Sequence, residues 1–483
     1  MSLTAALYSA RTGLNATQQQ IGGVSDNIAN ALTPGYVARE ARLTSLIADG
    51  AGRGVAADIV RGPINSFLLR DIRYEAATFA GLDYSAAALS QIAQITGEPA
   101  DGRSIASAFD AFEASFQTLF NSPEDPITQR GALQAAQDLV GAFQRAQDGV
   151  QDGRQKADRD IALAVTEANT ALQKIADLND DIKAQASGDG DISNLLDERD
   201  RQIDQLSELI GIRTFTRDSG EIVITTREGV TLLDGDARTL DFTPTGTVPP
   251  DLLLGGGLSG LTVDGADITP TGGGAQAAGS GRIAGAFAVR DDALVTYQAQ
   301  IDELALQTIT MFEAVDASVL APGQGLFIDT GAPGPAEGLA GRLGVNPLVD
   351  PAAGGEFRRL RDGVQTAIPG AAGDTAQIQA FLDGFNTAQA FAPGPGLSTS
   401  TTLGGYAGEI ASGHLINASS AATEADASAL QFTTMEQRRI SENGVNIDEE
   451  SQRLLELQEA YAANAQVIST VARMFDELLA SVR

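Results

Sequence analysis

The stretch NIANALTPGYVARE, residues 27–40, ends a long helical pattern and decides how the chain is organised. Upstream of it, apolar and small side chains recur in alternating steps of three and four residues, which is heptad spacing. Pro34 disfavours helix at Thr33 and cannot donate to the helix, while Gly35 permits a positive φ. The sequence predicts a helix, a turn at Pro34, Gly35 and Tyr36, and then an extended segment. The N-terminal stripe has the large apolar members Leu3, Leu7, Leu14, Ile21, Val24 and Ile28.

The other end of the chain repeats the heptad pattern over a similar length. Two terminal helices of matching period predict a coiled coil between them, in an assembly domain of residues 1–45 plus 444–483. Two ordinary surface helices on a globular core are the alternative. Because an isolated helix is marginal in water, we expect both ends to become ordered only when copies assemble. The amide of Asn464, the polar member of the C-terminal stripe, could fix the register of the two helices. The stripe consists of Leu454, Leu457, Tyr461, Asn464, Ile468, Val471, Phe475 and Leu478.

In the middle of the chain the predicted secondary structure changes twice, from helix to strand and back to helix. Residues 62–211 are strongly helical, with a long helix at 127–185 that we expect to be interrupted near Gly149 and Gly153. Residues 212–289 consist of short strand patterns separated by turns such as DSG and REG. Helical patterns then return, including a long one from Tyr406 to Ile440. The predicted fold is mainly α, with a long-helix rod domain (46–211 plus 290–443) and an inserted β-rich variable domain (212–289).

Composition excludes several classes of function. The chain has 63 acidic and 32 basic residues and a net charge of −31, so it repels nucleic acid and anionic lipid. It has no cysteine, which excludes disulfides, thiolate metal sites and cysteine nucleophiles. No apolar run reaches the length of a membrane span, and the N-terminal residues do not read as a conventional signal peptide. We expect neither a nucleic-acid nor a membrane partner.

No persuasive active site is present in the sequence. The single histidine, His414, would have to serve alone, and we expect it to be a helix-surface residue. The segment GGGLSG at residues 255–260 fits a dinucleotide pattern, but a strand-like segment follows it where a helix is required. We therefore predict a protein that is not an enzyme and has no catalytic residue, metal or cofactor. The rival from another class is a secreted acidic enzyme with a helical oligomerisation stalk.

Several motifs carry a resemblance to the axial proteins of the bacterial flagellum. ARTGLNATQQQI with SDNIANALTPGYVARE at one end, and AYAANAQVIST at the other, resemble the terminal signatures of rod, hook and hook-associated proteins. NLLDERDRQIDQLSELIGI from Asn194, GVNIDEESQRLLELQEAY from Gly444 and MFDELL from Met474 resemble the hook-associated protein 1 family. The proline before Gly35 departs from the expected pattern. A hook protein, a distal rod protein and a soluble coiled-coil adaptor are the alternatives.

The resemblance implies a mechanical function at the hook–filament junction. It implies export through the flagellar type III apparatus and an extracellular location in the flagellum. Its implied partners are copies of the same chain in the axial structure, the hook protein and a second hook-associated junction protein. An export chaperone is expected to cover the C-terminal helix beforehand.

Overall fold

The computed structural model describes residues 3–48, 51–97, 102, 104–186, 191–331, 334–394 and 396–481. Across these residues the chain is mainly α-helical with several small antiparallel sheets, which confirms the predicted fold class. The chain divides into two compact units. The terminal unit comprises Met1–Ala76, Ala168–Arg238 and Ala429–Arg483, and the central unit comprises Ala77–Glu167 and Thr239–Ser428.

The helices and strands of the described residues have the following bounds. The α-helices are α1 Leu3–Asn30, α2 Ser66–Thr96, α3 Ile105–Asn121, α4 Pro126–Ala186, α5 Ser193–Leu209, α6 Arg282–Ala288, α7 Leu294–Ala314, α8 Leu339–Arg342, α9 Arg359–Asp362, α10 Ala376–Phe385, α11 Leu403–Asn443 and α12 Ile447–Ser481. The strands are β1 Arg39–Ala48, β2 Ala51–Arg61, β3 Ile212–Thr216, β4 Ile222–Thr226, β5 Thr231–Asp234, β6 Asp236–Ala237, β7 Leu240–Asp241, β8 Thr262–Val263, β9 Ala266–Asp267, β10 Phe327–Asp329, β11 Leu343–Val345, β12 Gln389–Ala390 and β13 Ser400–Thr401.

The terminal unit begins with the helix, turn and extended segment that the sequence predicts. α1 is followed by the antiparallel hairpin of β1 and β2, in which Arg39 pairs with Arg61 and Ala48 with Ala51. The hairpin lies along α1. A Cβ on Gly23 would lie 3.2 Å from Ile59 Cδ1, so the absence of a side chain there lets helix and strand approach closely. α12 also packs on α1.

The core of the central unit is built around the phenylalanine stripe of α3. Phe112 lies in this core with ring centroids 5.0 Å from Phe116, 5.6 Å from Phe312 and 5.3 Å from Phe385. Most of these ring pairs meet edge to face, a geometry that adds to the burial of aromatic surface. The whole apolar stripe of α3 is buried, namely Ile105, Phe109, Phe112, Phe116 and Leu119.

The predicted interruption of the long helix is wrong, because α4 runs without a break from Pro126 to Ala186. A glycine in a helix costs only about 1 kcal/mol relative to alanine, which packing can offset. Here a Cβ on Gly149 would lie 2.6 Å from Ile95 Cγ2, and one on Gly153 would lie 2.9 Å from Leu294 Cδ1. The two glycines therefore allow close packing of neighbouring helices within the central unit.

The segment predicted as one β-rich insertion is divided between the two units. The four-stranded sheet β3–β6 belongs to the terminal unit, and the three-stranded sheet β7–β9 belongs to the central unit. Helix α6 also begins inside this segment, at Arg282. The three-domain division remains a prediction, and the compact units do not follow its boundaries.

Different side chains of α4 hold the two sheet regions. In the terminal unit, the amide of Asn179 donates to Ile222 O (3.0 Å) and its Oδ1 accepts from Ile222 N (3.2 Å). In the central unit, the fully buried Arg154 donates to the carbonyl oxygens of Pro249 (3.2 Å) and Pro250 (3.4 Å). Buried polar groups need partners, so each contact fixes one part of the segment to a different stretch of the same helix.

Candidate assembly site

The two terminal helices lie antiparallel. The side chain of Asn27 on α1 donates to Glu450 Oε1 on α12 (3.0 Å). Fourteen residues earlier on α1, Gly13 faces Asn464, which is fourteen residues later on α12. A Cβ on Gly13 would lie 3.1 Å from Asn464 Oδ1. The polar residue of the C-terminal stripe therefore lies against the other helix at a point where that helix has no side chain.

The structure places the N-terminal stripe on the inner side of α1, but it covers that stripe incompletely. Ala10, Thr17 and Val24, which follow one another at intervals of seven residues, are buried. The other large members are only half-buried, namely Leu3, Leu7, Leu14, Ile21 and Ile28.

The C-terminal stripe on α12 is covered even less. Leu457 and Val471 are buried, and Tyr461 and Leu478 are exposed. The remaining members are half-buried, namely Leu454, Asn464, Ile468 and Phe475. Beside the stripe, Val467 and Met474 on α12 are also exposed, seven residues apart and hence on one face. The pair of helices therefore presents apolar surface to solvent along much of its length.

Asn27 is a hydrogen-bonding centre that the heptad analysis missed. It is almost completely buried; its Oδ1 accepts from Arg39 N (2.7 Å) and from the Tyr36 hydroxyl (3.0 Å). Its amide nitrogen donates to Arg39 O and to Glu450, both at 3.0 Å. One side chain thus joins α1, the turn, β1 and α12. The available signal was a polar amide inside an otherwise apolar and small helical pattern.

The turn forms where the sequence predicts it. Tyr36 N donates to Thr33 O (3.2 Å), Pro34 occupies the second position, and Gly35 has φ +75°. Proline followed by a residue with positive φ is the pattern of a type II turn. A side chain at Gly35 would also be obstructed, since its Cβ would lie 2.6 Å from Arg201 Cγ. Burial raises the pKa of Tyr36 to about 12, despite the opposing effect of Arg39.

Three aspartates on one face of α5 form a carboxylate ladder, which we define as Asp197, Asp200 and Asp204. Their spacing of three and four residues brings them to the same side of the helix. The first two bind the base of the hairpin: Asp197 lies 2.8 Å from Arg39 Nη2 and 2.7 Å from Arg61 Nε. Asp200 Oδ2 lies 2.7 Å from Arg61 Nη2. The NLLDERDRQID motif therefore holds both strands of the hairpin.

Asp200 and Asp204 of the carboxylate ladder bind two further arginines. Arg73, at the start of α2, lies 2.9 Å from Asp200 Oδ1 and 2.7 Å from Asp204 Oδ1. Arg439, near the end of α11, lies 2.8 Å from Asp204 Oδ2. Burial alone would raise the pKa of Asp200, but Arg73 and Arg61 outweigh it and lower that pKa. The spacing of the three aspartates was visible in the sequence, but their partners were not.

Among the described residues, no group of three or more histidine, cysteine or acidic side chains could hold a metal ion. The prediction that His414 lies on a helix surface is wrong, because it is buried in the central unit, with Nε2 2.9 Å from Gln300 Oε1. Its ring packs against Tyr297, and burial lowers its pKa to about 4. In the part of the chain that is described, no helix is long and apolar enough to span a bilayer.

Family models match three parts of the chain. A model described as the helical domain of the flagellar hook-associated protein FlgK matches residues 89–327. A model of the C-terminal region of flagellar basal body rod FlgEFG proteins matches residues 436–481, and a model of flagella basal body rod proteins matches residues 7–36. The two terminal matches cover most of α1, the turn and α12.

The individual relatives described next share the name flagellar hook-associated protein 1. Flagellar hook-associated protein 1 of Salmonella typhimurium is 29% identical over 248 residues, covering 50% of this chain and 44% of that protein. The Escherichia coli K12 protein of the same name is 27% identical, covering 51% and 46%. In both cases the match spans less than half of the relative. The Bacillus subtilis protein is 24% identical, covering 98% of this chain and 97% of its own. The structure of the flagellar hook junction protein FlgK from Burkholderia pseudomallei aligns with a TM-score of 0.43, 23% identity and coverage of 53% and 46%.

Proposed function

The chain belongs to the flagellar hook-associated protein 1 family, and on this premise we propose that it joins the distal end of the hook to the filament-side junction protein. Its role is mechanical, and it acts by packing against other subunits, not as an enzyme. It works outside the cell, in the flagellum, after export through the flagellar apparatus.

The observation that carries this proposal is the incomplete cover on the terminal helices. If the two terminal helices buried their whole apolar stripes against each other, the monomer would have no apolar surface there for other copies to cover. Here Tyr461, Val467, Met474 and Leu478 of α12 remain exposed, and most large stripe residues of α1 are only half-buried. Large exposed apolar surface marks an interaction site. Helices of neighbouring copies would cover it, as heptad seams require.

The carboxylate ladder supports a mechanical role in a second way. Asp197 and Arg39 are both nearly inaccessible to water, with side chains 6% and 4% exposed. Breaking such a pair would leave an uncompensated buried charge, which costs about 3–5 kcal/mol. The hairpin is therefore held firmly to α5 inside the terminal unit. A subunit that passes load to its neighbours needs such attachments.

The finer partners follow from the same premise. Copies of this chain pack through the terminal helices, the hook protein lies on one side and a second hook-associated junction protein on the other. Before export, a chaperone covers the exposed apolar face of α12. The match of residues 89–327 to the FlgK helical domain favours this assignment over a hook or distal rod protein.

The test is complementation of a strain that lacks this protein. Met474→Asp combined with Val467→Asp places charge on the exposed face of α12, so the purified monomer should keep its thermal unfolding profile while the cells fail to swim. The matched control is Leu163→Asp, an exposed apolar residue on α4 in the central unit, which should restore swimming. Immunogold labelling of isolated hooks should place the unaltered protein at the distal tip. Label elsewhere, or normal filaments on the double variant, would contradict the proposal.

A further inference from the structure

The link between α11 and α12 contains an asparagine followed by a glycine, Asn443 and Gly444, a pair that occurs nowhere else in the sequence. α11 ends at Asn443, and α12 begins at Ile447. In such a pair the backbone nitrogen of the glycine can attack the side-chain carbonyl carbon of the asparagine, because glycine has no side chain to obstruct the approach. The two residues therefore have the chemistry of a spontaneous deamidation site.

The fold itself requires the glycine of this pair. Gly444 N donates to Ile440 O (2.8 Å), which closes the last turn of α11. A Cβ on Gly444 would collide with the same oxygen atom, so another residue would fit there only after a shift of the backbone. The residue that makes Asn443 reactive is thus imposed by the way in which α11 ends.

Asn443 also joins three segments of the terminal unit. Its amide nitrogen donates to Pro63 O (2.7 Å), in the segment that follows β2. Its backbone oxygen accepts from Ala38 N (2.9 Å), in the segment between the turn and β1. We call the meeting point of Asn443, Gly444, Ala38 and Pro63 the Asn443 corner. The end of α11 is attached there to both ends of the hairpin.

The same contacts hold both groups that must react. Deamidation requires the nitrogen of Gly444 to lose its proton and to reach Cγ of Asn443. In the folded chain the N–H of Gly444 is bonded to Ile440 O, and the amide of Asn443 is bonded to Pro63 O. Both bonds have to break first, so the reaction has to wait for a local opening of the corner.

We propose that Asn443 is a site of spontaneous deamidation that the fold holds in check, and that its conversion loosens the start of α12. The nitrogen of Gly444 bonds to Cγ of Asn443, the bond from Cγ to the amide nitrogen breaks, and ammonia leaves with the proton of Gly444. Water then opens the cyclic imide at either carbonyl carbon and gives aspartate or isoaspartate. The net reaction consumes one water and releases one ammonia, and it needs no oxidant, reductant or enzyme.

Both products disturb the corner for a physical reason. Aspartate is ionised at neutral pH and has no N–H group, so a carboxylate oxygen would face Pro63 O where the amide now donates to it. Isoaspartate routes the main chain through the former side chain and lengthens it by one methylene, which displaces Gly444 N from Ile440 O. Each product removes at least one bond of the corner, and α12 begins only three residues after Gly444.

The test follows the purified full chain at mildly alkaline pH, both folded and in urea, by peptide mapping with mass spectrometry. Trypsin releases residues 440–453, which contain both Asn443 and Asn446. Asn443 should convert to acid in urea, as two products of equal mass, and at least about tenfold more slowly in the folded chain. Asn446 is the internal control, because the β-branched Ile447 that follows it obstructs the attack, so it should stay unmodified.

The outcomes decide each part of the inference. No conversion of Asn443 in urea would show that it is not a modification site, and equal rates in urea and in the folded chain would show that the corner does not protect it. Asn443→Gln keeps an amide but moves its carbon one bond further from the nitrogen of Gly444, so it should give no product in either condition.

Asn443→Asp tests the structural consequence without waiting for the reaction. In hydrogen exchange, peptides from the start of α12 and from the segment with Ala38 should exchange about fivefold faster, the factor expected for one lost hydrogen bond. Exchange equal to that of the unaltered chain would overturn the proposed loosening. All of these measurements use purified monomer, so their failure leaves the proposed junction function untouched, and failure of that function leaves Asn443 untouched.

Discussion

Replacing Asp200 by asparagine tests the carboxylate ladder directly. Asp200 receives Arg61 Nη2 at 2.7 Å and Arg73 Nη2 at 2.9 Å, one on each oxygen. Asparagine has nearly the same shape, so packing is unchanged, but one oxygen becomes an NH₂ group that faces a guanidinium donor. The substitution therefore removes charge and one acceptor without creating a cavity.

The magnitude follows from burial and from the remaining partners. The side chains of Arg61, Arg73 and Asp200 are 13%, 6% and 15% exposed, so solvent screening is slight. Removing one member of a buried ion pair costs about 3–5 kcal/mol. Asp197 still faces Arg61 and Asp204 still faces Arg73, so we expect the lower end, about 3 kcal/mol.

Hydrogen exchange measured by mass spectrometry is the appropriate assay, because it reports opening of individual segments in a two-unit chain. Peptides from α5 and β2 in the variant should exchange about 100-fold faster, since 1.4 kcal/mol corresponds to a factor of ten. The control is Asp71→Asn, which breaks the exposed pair of Arg70 and Asp71 and should cost about 0–1 kcal/mol. Equal protection in the two variants would refute the assignment of Asp200 as a stabilising residue.

The same residue predicts a response to acid. The pKa of Asp200 is lowered in the folded chain, so its contribution to stability is present above the unfolded value of about 3.9 and is lost as pH falls through the folded-state pKa. Protection of α5 in the unaltered protein should therefore decline in that acidic range, and the asparagine variant should lack this component of the decline.

Two further predictions concern other sites. Gly13→Ala should push against Asn464, and Asn464→Ala should relieve it; a double-mutant cycle on thermal unfolding should give a coupling of about 1 kcal/mol, whereas additive effects would show that the two residues do not meet. His414, the only histidine, has its pKa lowered by burial to about 4, so the neutral form is favoured and stability should fall as pH drops from about 6.5 towards 4, by about 2–3 kcal/mol in total. Its imidazole NMR signal should titrate near pH 4, and His414→Gln should remove this dependence; a midpoint near 6.5 would contradict the burial.

Apolar spacing predicted the helices well because burial along one face is what stabilises them. The heptads at both ends became α1 and α12, and the stripe of α3 became the centre of a core. Glycine was misread as an interruption in α4, because spacing does not reveal that Ile95 and Leu294 occupy the space beside Gly149 and Gly153. The β-rich segment was read as one insertion, because sequence does not show that Asn179 and Arg154 hold its two parts separately.

The polar contacts of the candidate site were harder to predict for a physical reason. A hydrogen bond depends on one specific partner, and the bond between Asn27 and Glu450 joins residues 423 positions apart. An apolar side chain contributes wherever it is buried, so its pattern can be read without knowing what covers it. The three aspartates of α5 are intermediate: their common face was legible in the sequence, but only the fold shows that they receive arginines from both strands of the hairpin, from α2 and from α11.

This difference also explains how the terminal unit can combine firm attachment with the self-assembly that we propose. Buried ion pairs and the hydrogen bonds of Asn27 depend on geometry, so they select one arrangement of the hairpin, the turn and α5. Packing on the half-covered stripes of α1 and α12 does not require one specific geometry, since apolar burial is non-directional and tolerates a new neighbour. Polar contacts therefore fix the structure of the subunit, and the incompletely buried apolar surface is what the proposed packing between copies would cover. A stripe fully buried within the monomer would have stabilised the isolated chain and left nothing for assembly to bury.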